Sequence, residues 1–274
     1  MRTVSRRCFL GQGAAGAAAI TLGARGVGAQ EWAKAILEKS PRKKEWVTVK
    51  NGARNVDSFV AYPQSAAKAP GIVVIHEIFG MTDWVQNVTD EFAAAGWVAI
   101  APDLLSGMTP DGKPARNMPM SGAGGMINKL PPDQITADLN ACVDFVKGLP
   151  SCNGKVSVVG FSWGGSQCFR FATNRKDLAA ALVFYGSGPD AADMPRIQAP
   201  VYGFYGGNDA RIGASIPATQ QGMKAANKVF EPVTYEGAGH GFMRGGSDPG
   251  GSEADKKARE AAWVRLKAIA GNQK

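Results

Sequence analysis

The sequence predicts an α/β fold, in which a mostly parallel sheet of about eight strands is covered by helices on both faces. Three observations lead to this prediction. Apolar, β-branched runs alternate along the chain with longer segments of helical periodicity. The runs GIVVI at 71–75 and VSVV at 156–159 are almost uniformly apolar, which is typical of strands buried on both faces. Two early strands joined by a short turn precede the alternation, and this order favours one layered sheet.

Each predicted element follows from a run of one of these two kinds. Strands are predicted at 45–50, 56–62, 71–76, 97–101, 155–160, 180–185, 200–205 and 228–235. Helices with amphipathic length and spacing are predicted at 83–95, 132–147, 163–173, 216–226 and 253–269. In sheets of this type, sites form at the carboxyl ends of the strands.

Residues 103–131 break the alternation. They are rich in Gly, Pro and Met and lack a clear period, which predicts a long loop over the strand ends. Loops of this length are often lids or binding loops. A flexible surface loop without such a task is the alternative, and the sequence leaves the choice open.

The N-terminus resembles a twin-arginine export signal. Its residues 5–10 read SRRCFL, an Ala- and Gly-rich stretch follows at 11–23, and small residues end the segment at 27–29. We therefore expect a signal peptide at 1–29, one domain at 30–274, the Tat translocase as a partner during export, and a periplasmic or secreted location. The apolar stretch is too short and glycine-rich for a stable membrane anchor. An arginine-rich tail without a targeting role is the alternative.

The expected signal peptide carries four arginines and no acidic residue. Its removal leaves 27 basic and 23 acidic residues, so the formal charge falls from +8 to +4. The basic residues are scattered, with no stripe of interleaved aromatic residues, so the composition argues against a nucleic-acid partner. A mild preference for anionic small molecules is compatible with it.

Three cysteines remain after such a cleavage, so at most one disulfide can form. A local bridge between Cys142 and Cys152 is left open, because sequence spacing does not establish the approach that the bond needs. Cys168 is expected to be a small buried thiol. The histidines and cysteines are too sparse for a metal site at recognised ligand spacing, and no cofactor is expected.

Residues 155–165 contain the most informative motif. They read KVSVVGFSWGG, an apolar run that ends in the GxSxG spacing at Gly160, Ser162 and Gly164. A serine on a sharp turn from strand to helix projects its hydroxyl out of the sheet, and flanking glycines let the chain close that tightly. The motif predicts Ser162 as a nucleophile. An ordinary strand-to-helix turn is the alternative.

A serine hydroxyl needs a base to take its proton, and the base is usually an imidazole held by a carboxylate. His240 lies in the glycine-rich sequence GAGHGF after the last predicted strand and is the candidate base. His76 closes an earlier strand and precedes the serine, which is the wrong chain order for this arrangement.

Two aspartates compete for the role of the acid. Asp209 follows a predicted strand through a short, glycine-rich loop that can turn a carboxylate toward a neighbouring histidine, and it is preferred. Asp190, after the preceding strand, is the competitor. Acyl transfer also needs backbone donors for the developing oxyanion. The amides of Trp163, directly after the nucleophile, and Ile78, after the strand that ends at His76, are the candidates.

These motifs together resemble the dienelactone hydrolase family of α/β-hydrolases. The HEIFG segment at 76–80, the elbow, the GGND loop and the GAGHGF loop occur in the family's order and spacing, over roughly residues 45–270. The resemblance implies an α/β-hydrolase fold, with Ser162 as nucleophile, His240 as base and Asp209 as its partner. It also implies Ile78 and Trp163 as oxyanion donors.

One departure from the family concerns the nucleophile. Characterised members carry cysteine at the elbow, activated with help from a glutamate at the position of Glu77. With Ser162 there is no thiolate to prepare, so Glu77 is interpreted as a structural relic, an orienting group or an added carboxylate that perturbs the site. His76 stands where the family commonly has glutamine and is interpreted as supporting or structural rather than catalytic.

Arg244 matches a family arginine that helps to hold a substrate carboxylate, which a guanidinium can bind through two hydrogen bonds. A solvated surface arginine is the alternative. The second arginine of that anchor has no counterpart here, since Lys113 and Arg116 lie in the irregular segment 103–131.

The sequence therefore predicts a serine hydrolase that cleaves a small carboxylic ester or lactone, with or without a carboxylate on the substrate. The mechanism would use the Ser162, His240 and Asp209 triad and an acyl-enzyme intermediate. An amide or acyl-peptide hydrolase on the same triad is the alternative within enzymes. A binding protein that has lost turnover is the alternative from another class.

Overall fold

The predicted alternation of strands and helices appears in the computed structural model of the protein. The structure describes residues 30–109, 114–117 and 120–273, so the predicted signal peptide at 1–29 lies outside the described residues. The eight strands are β1 Lys44–Asn51, β2 Arg54–Ala61, β3 Ala69–Ile75, β4 Val98–Pro102, β5 Cys152–Phe161, β6 Ala181–Phe184, β7 Val201–Gly206 and β8 Phe230–Tyr235. Each corresponds to one predicted strand.

The helices cover both faces of the sheet. They are α1 Glu31–Lys39, α2 Asp83–Ala94, α3 Met120–Ile127, α4 Pro132–Gly148, α5 Trp163–Asn174, α6 Ala210–Gly213, α7 Ile216–Ala225, α8 Phe242–Gly245 and α9 Glu253–Gly271. The five predicted helices are α2, α4, α5, α7 and α9. Among the described residues, no helix has both the length and the apolar character needed to cross a membrane.

The strand order in the sheet is β1-β2-β4-β3-β5-β6-β7-β8. The first strand pairs antiparallel with β2, which pairs antiparallel with β4, and all later neighbours are parallel. The mostly parallel α/β sheet predicted from the sequence is therefore confirmed. Since β3 and β5 to β8 run in the same direction, the residues that follow these strands meet at one edge of the sheet.

The core has two layers, one on each face of the sheet. Side chains alternate along a strand, so Val73 and Ile75 of β3 join the cluster under α4 and α5, whereas Ile72 and Val74 join the cluster under α2 and α9. All seven residues of β3 are buried. Burial on both faces explains why this strand is apolar without alternation.

The segment 103–131 contains more regular structure than its sequence predicts. A short 3₁₀ helix spans Ala115–Asn117, and α3 forms from the sequence MSGAGGMI. Three glycines in eight residues weaken the helix signal, because glycine costs about 1 kcal/mol relative to alanine within a helix. Tertiary packing compensates, since Ala123 and Ile127 are buried in the core. The side chain of Ala123 faces the loop that contains Gly80.

The local disulfide between Cys142 and Cys152 does not form. Both residues are buried free thiols, as is Cys168. The sulfur of Cys142 faces the Ser58 hydroxyl at 3.9 Å, whereas the sulfur of Cys152 accepts from the Gly154 amide at 3.4 Å. Burial raises the pKa of the Cys142 thiol to about 12, so this thiol stays protonated.

Candidate active site

Ser162 lies on the turn between β5 and α5, in a backbone conformation that is rare for a residue with a side chain. Its φ is 56° and its ψ is −116°. The turn is tight enough that a Cβ at Gly160 would overlap the backbone of Gly164. The Ser162 amide donates to the Phe184 carbonyl at 3.0 Å, which fixes the turn against β6. The motif therefore folds locally as a strained elbow that presents the hydroxyl at the carboxyl edge of the sheet.

Three side chains from separate loops meet at this edge. The Ser162 Oγ lies 2.8 Å from Nε2 of His240, and Nδ1 of His240 lies 2.5 Å from Oδ2 of Asp209. A carboxylate only accepts, so Nδ1 carries a hydrogen and Nε2 of the neutral ring is left to accept from the hydroxyl. The imidazole thus bridges an alcohol and an acid, which is the arrangement of a nucleophile with its base.

Both oxygens of the Asp209 carboxylate are held. Asp209 follows β7 and is the N-cap of α6, where its Oδ1 accepts from the Ile212 amide at 3.3 Å while Oδ2 accepts from His240. The residue is 8% exposed. Asp190, the other candidate acid, is exposed. Since Asp209 is fixed from two sides, it can hold the imidazole in one orientation.

Backbone hydrogen bonds fix the loop that carries His240. The Asn208 amide donates to the Ala238 carbonyl at 2.9 Å, and the Gly239 amide donates to Oδ1 of Asp255 at 2.9 Å. The first bond ties the histidine loop to the acid loop, and the second ties it to α9. The relative positions of the acid and the base are therefore set by the scaffold.

Two backbone amides close in sequence to the reacting edge have no hydrogen-bond partner in the described part of the chain. Trp163 is the first residue of α5, and amides in the first turn of a helix have no acceptor within the helix. The Ile78 amide lies in the loop after β3, and no hydrogen bond from it occurs among the described residues. Such amides are available to bind a developing oxyanion.

Glu77 and Arg244 form an ion pair beside the histidine loop. Nε of Arg244 donates to Oε2 of Glu77 at 2.8 Å, and the Glu77 carboxylate is almost fully buried. The charge of Glu77 raises the pKa of Arg244 against the opposing effect of burial. The arginine is thus not a solvated surface residue. Its charge is already balanced by a carboxylate of the protein.

Neither Arg116 nor Lys113 adds a second anchor for a substrate carboxylate in the described structure. Arg116 donates to the Asp57 carboxylate at 3.2 Å, and its guanidinium lies 4.2 Å from the ring centroid of Trp46. These contacts hold it over β1 and β2. Lys113 lies outside the described residues.

His76 is fully buried and is not hydrogen-bonded to Ser162, His240 or Asp209 in the described structure. Burial lowers its pKa to about 4, so the ring is neutral at neutral pH. The ring is stacked on that of Trp163, with centroids 5.7 Å apart and an interplanar angle of 12°.

Tyr185 is a residue of this site that sequence reasoning missed. It follows β6 with a φ of 41°, is fully buried, and places its ring 5.1 Å from the ring of His240. Burial raises the pKa of its hydroxyl well above the ordinary value. Its place directly after a parallel strand was the available signal, because residues at that point line the same edge.

Among the described residues, no three or more His, Cys, Asp or Glu side chains are grouped so that they could hold a metal ion. The polar side chains beside Ser162 are the His240 imidazole and the Asp209 carboxylate behind it. Groups of these types can support nucleophilic and general-base catalysis without a metal.

Comparison with known proteins places this geometry in context. The model of the "Dienelactone hydrolase family" matches residues 56–272. A Salmonella typhimurium protein named "Putative carboxymethylenebutenolidase" is 32% identical over 228 residues, which cover 77% of this chain and 81% of that protein. The Escherichia coli protein of the same name is 31% identical over 204 residues, 69% of this chain and 73% of the relative.

Solved structures show the same fold. The crystal structure titled "Putative Dienelactone Hydrolase" from Klebsiella pneumoniae superimposes with a TM-score of 0.74 at 24% sequence identity. The match covers 85% of this chain and 99% of that one. The likeness therefore extends over nearly the whole length of that protein.

Proposed function

This chain belongs to the dienelactone hydrolase family and is a hydrolase of that type. From this premise we propose that it cleaves a small carboxylic ester or lactone through an acyl-enzyme on Ser162. The observation that carries the proposal is the pair of contacts made by His240. Its Nε2 lies 2.8 Å from the Ser162 Oγ, and its Nδ1 lies 2.5 Å from the Asp209 carboxylate.

The first half of the reaction forms the acyl-enzyme. As Ser162 Oγ attacks the carbonyl carbon of the substrate, its proton passes to Nε2 of His240, and Asp209 stabilises the imidazolium that results. The carbonyl oxygen becomes an oxyanion, which the amides of Ile78 and Trp163 stabilise. Collapse of this intermediate breaks the bond to the leaving oxygen, which takes the proton from His240 and departs as an alcohol.

The second half releases the acid. Water attacks the acyl carbon while Nε2 of His240 accepts its proton, and the same two amides bind the second oxyanion. Collapse returns the proton to Ser162 Oγ and frees the carboxylic acid. In a lactone the leaving alcohol and the acid belong to one molecule, so the product is a hydroxy acid. No cofactor takes part in these steps.

A neutral acyl group suits the site better than one that bears a carboxylate. The guanidinium of Arg244 already pairs with Glu77, so a substrate carboxylate would have to share or displace a buried partner. A matched pair of esters that differ only in a terminal carboxylate or carboxamide would test this preference. We expect a larger kcat/KM for the carboxamide, and a larger value for the carboxylate would contradict it.

The nucleophile can be tested with Ser162→Ala and a p-nitrophenyl ester of a short acid. We expect turnover to fall by at least about 10⁴-fold, because the nucleophile and its base act as a unit. Ser166→Ala is a matched control in α5, four residues after Ser162, where the hydroxyl bonds Ser187 rather than a catalytic group. Turnover that survives in Ser162→Ala would reject the acyl-enzyme on this residue.

Two further assays separate the alternatives. A fluorophosphonate probe should label the wild-type protein and Ser166→Ala but not Ser162→Ala, since labelling needs an activated serine; a binding protein without turnover would stay unlabelled. An ester and an amide of the same acid, assayed side by side, distinguish an esterase from an amide or acyl-peptide hydrolase. We expect the ester to be cleaved faster.

We also propose that the protein is exported by the twin-arginine pathway to the periplasm or beyond. The proposal rests on the SRRCFL sequence, the Ala- and Gly-rich stretch and the small residues that follow it. Replacing Arg6 and Arg7 by lysine together should leave the protein in the cytoplasm with its N-terminus uncleaved. Unchanged export of this double variant would reject the pathway.

A further inference from the structure

The peptide group between Glu77 and Ile78 connects the oxyanion site to a buried histidine. This single planar unit carries the Ile78 N–H on one side and the Glu77 carbonyl on the other. Nδ1 of His76 lies 2.8 Å from that carbonyl oxygen. Because a carbonyl oxygen only accepts, Nδ1 carries a hydrogen and the neutral ring is the Nδ1–H tautomer. The Gly80 amide donates to the same oxygen at 3.1 Å.

The same imidazole contacts the residue that supplies the second amide. Its ring stacks on Trp163, with an interplanar angle of 12°, and His76 has no exposed surface. Nε2 of His76 is buried without a hydrogen-bond partner among the described residues. An unpaired buried nitrogen destabilises the fold, and an apolar side chain of similar size would avoid that cost. The hydrogen bond from Nδ1 to the Glu77 carbonyl is therefore the one interaction of this ring that a phenylalanine ring could not make.

We propose that His76 is a positioning residue for the oxyanion site: its Nδ1–H bond to the Glu77 carbonyl orients and polarises the peptide whose other end, the Ile78 N–H, binds the oxyanion. The inference rests on the proposed function, because it takes the Ile78 amide as an oxyanion donor. It assigns His76 no proton transfer and no contact with substrate.

The physical reason is that a peptide group polarises as one unit. Two donors on the carbonyl oxygen draw electron density from the N–H, which makes that N–H a stronger donor, and they fix the direction in which it points. An oxyanion exists only in the transition state and the tetrahedral intermediate. The loss of this orientation should therefore lower kcat and leave KM nearly unchanged.

Two substitutions separate the hydrogen bond from the ring. His76→Phe keeps a ring against Trp163 but removes the donor, whereas His76→Asn restores an N–H near the position of Nδ1. We expect His76→Phe to lower kcat for a p-nitrophenyl ester by about 10- to 100-fold, somewhat less than the loss of a whole oxyanion donor. We expect KM within about threefold of wild type, and most of kcat to return in His76→Asn.

Active sites are counted by fluorophosphonate labelling in each variant, so that kcat refers to folded enzyme. The affinity for an alkylboronic acid, which forms a tetrahedral adduct on an active-site serine, should fall in His76→Phe by about the same factor as kcat. A merely structural role would lower the number of labelled sites without this paired loss. Unchanged kcat per labelled site in His76→Phe, or an equal loss in His76→Asn, would overturn the proposal.

A measurement on the wild-type protein covers the case in which His76→Phe fails to fold. The chain has 2 histidines, so ¹⁵N spectra of its imidazoles are simple to assign with His76→Asn as reference. At neutral pH we expect the Nδ1–H tautomer for His76. An Nε2–H tautomer or an imidazolium would overturn the proposal. If wild-type protein neither turns over esters nor takes the fluorophosphonate label, the proposed function fails first, and the role of His76 fails with it.

Discussion

Arg244 and Glu77 join the two loops that flank the candidate active site. Arg244 lies on α8, directly after the histidine loop, and Glu77 lies one residue before Ile78 in the loop after β3. Their bond of 2.8 Å spans 167 residues of sequence. A Cβ at Gly241 would lie in contact with both side chains, so the pair is packed against the residue next to His240. The ion pair thus crosslinks the loop that carries His240 to the loop that carries Ile78.

The first prediction is that Arg244→Met destabilises the fold strongly. The substitution leaves the buried Glu77 carboxylate without a counter-charge, which costs about 3–5 kcal/mol in the free energy of unfolding. The double variant Glu77→Gln with Arg244→Met should recover part of this loss, because it removes the unpaired charge. Urea unfolding measures both free energies.

Arg196→Met is the matched control for that experiment. Arg196 pairs with Asp193 on the surface, where both side chains are about half exposed, and such pairs contribute at most about 1 kcal/mol. Equal losses of unfolding free energy in Arg244→Met and Arg196→Met would show that the buried Glu77 carboxylate does not need the Arg244 charge for stability.

The second prediction concerns the glycine at the start of the elbow. Gly160→Ala should destabilise the protein by about 3 kcal/mol or prevent folding, because the new Cβ would overlap the backbone of Gly164, which cannot move aside as a flexible side chain can. Gly148→Ala makes the same chemical change where a Cβ would meet nothing within 4 Å. It should be neutral or stabilising by up to about 1 kcal/mol. Thermal unfolding of the two variants compares them, and similar melting temperatures would contradict the prediction.

The fold could be predicted from the sequence because its strongest signals are local. Uniformly apolar runs such as β3 and β5 need burial on both faces, and the alternation with helices leaves few topologies open. The helix α3 could not be predicted, because its glycines weaken the local preference and packing of Ala123 and Ile127 supplies the stability. Whether Cys142 and Cys152 form a disulfide could not be predicted either, because tertiary packing holds the two sulfurs in separate environments.

Part of the candidate site could also be predicted from local sequence patterns. Glycine-rich loops after strands identified Ser162, Asp209 and His240, and the structure brings these three side chains into contact. Their catalytic roles stay predictions. The bond between Glu77 and Arg244 and the ring of Tyr185 beside His240 depend on distant segments, and no local pattern encodes a contact between them.

The third prediction is that the backbone at Ser162 stores strain that glycine relieves. A residue with a Cβ at φ 56° and ψ −116° costs about 1–3 kcal/mol relative to a relaxed conformation. Ser162→Gly should therefore be more stable than Ser162→Ala by about 1 kcal/mol, although both lack the hydroxyl. At Ser215, where φ is −85°, the order should reverse, since glycine there only loses more conformational entropy on folding. Urea unfolding of the four variants gives the free energies to compare. A Ser162→Gly variant less stable than Ser162→Ala would contradict the proposed backbone strain.

The fourth prediction is a pH dependence of stability that originates at Asp103. This residue follows β4 with no exposed surface, and burial raises the pKa of its carboxyl to about 6 from 3.8. Oδ1 accepts from the Leu105 amide at 3.1 Å, while Oδ2 has no partner in the described structure. The folded state therefore binds the proton more tightly than the unfolded chain does, and the resulting stabilisation, present below about pH 4, is lost as pH rises through about 6.

Asp103→Asn stays neutral at every pH and removes this effect. The free energy of unfolding of the variant relative to wild type should rise by about 2.4 kcal/mol between pH 4 and pH 7.5, since one pKa unit corresponds to about 1.4 kcal/mol and part of the effect is already lost at pH 4. Asp177→Asn provides a control of opposite sign. Hydrogen bonds from Arg175 and Lys147 hold the pKa of Asp177 below its ordinary value, so that carboxylate stabilises the fold above about pH 4 and loses its advantage in acid. A difference between Asp103→Asn and wild type that does not vary with pH would show that this carboxyl titrates alike in the folded and unfolded states.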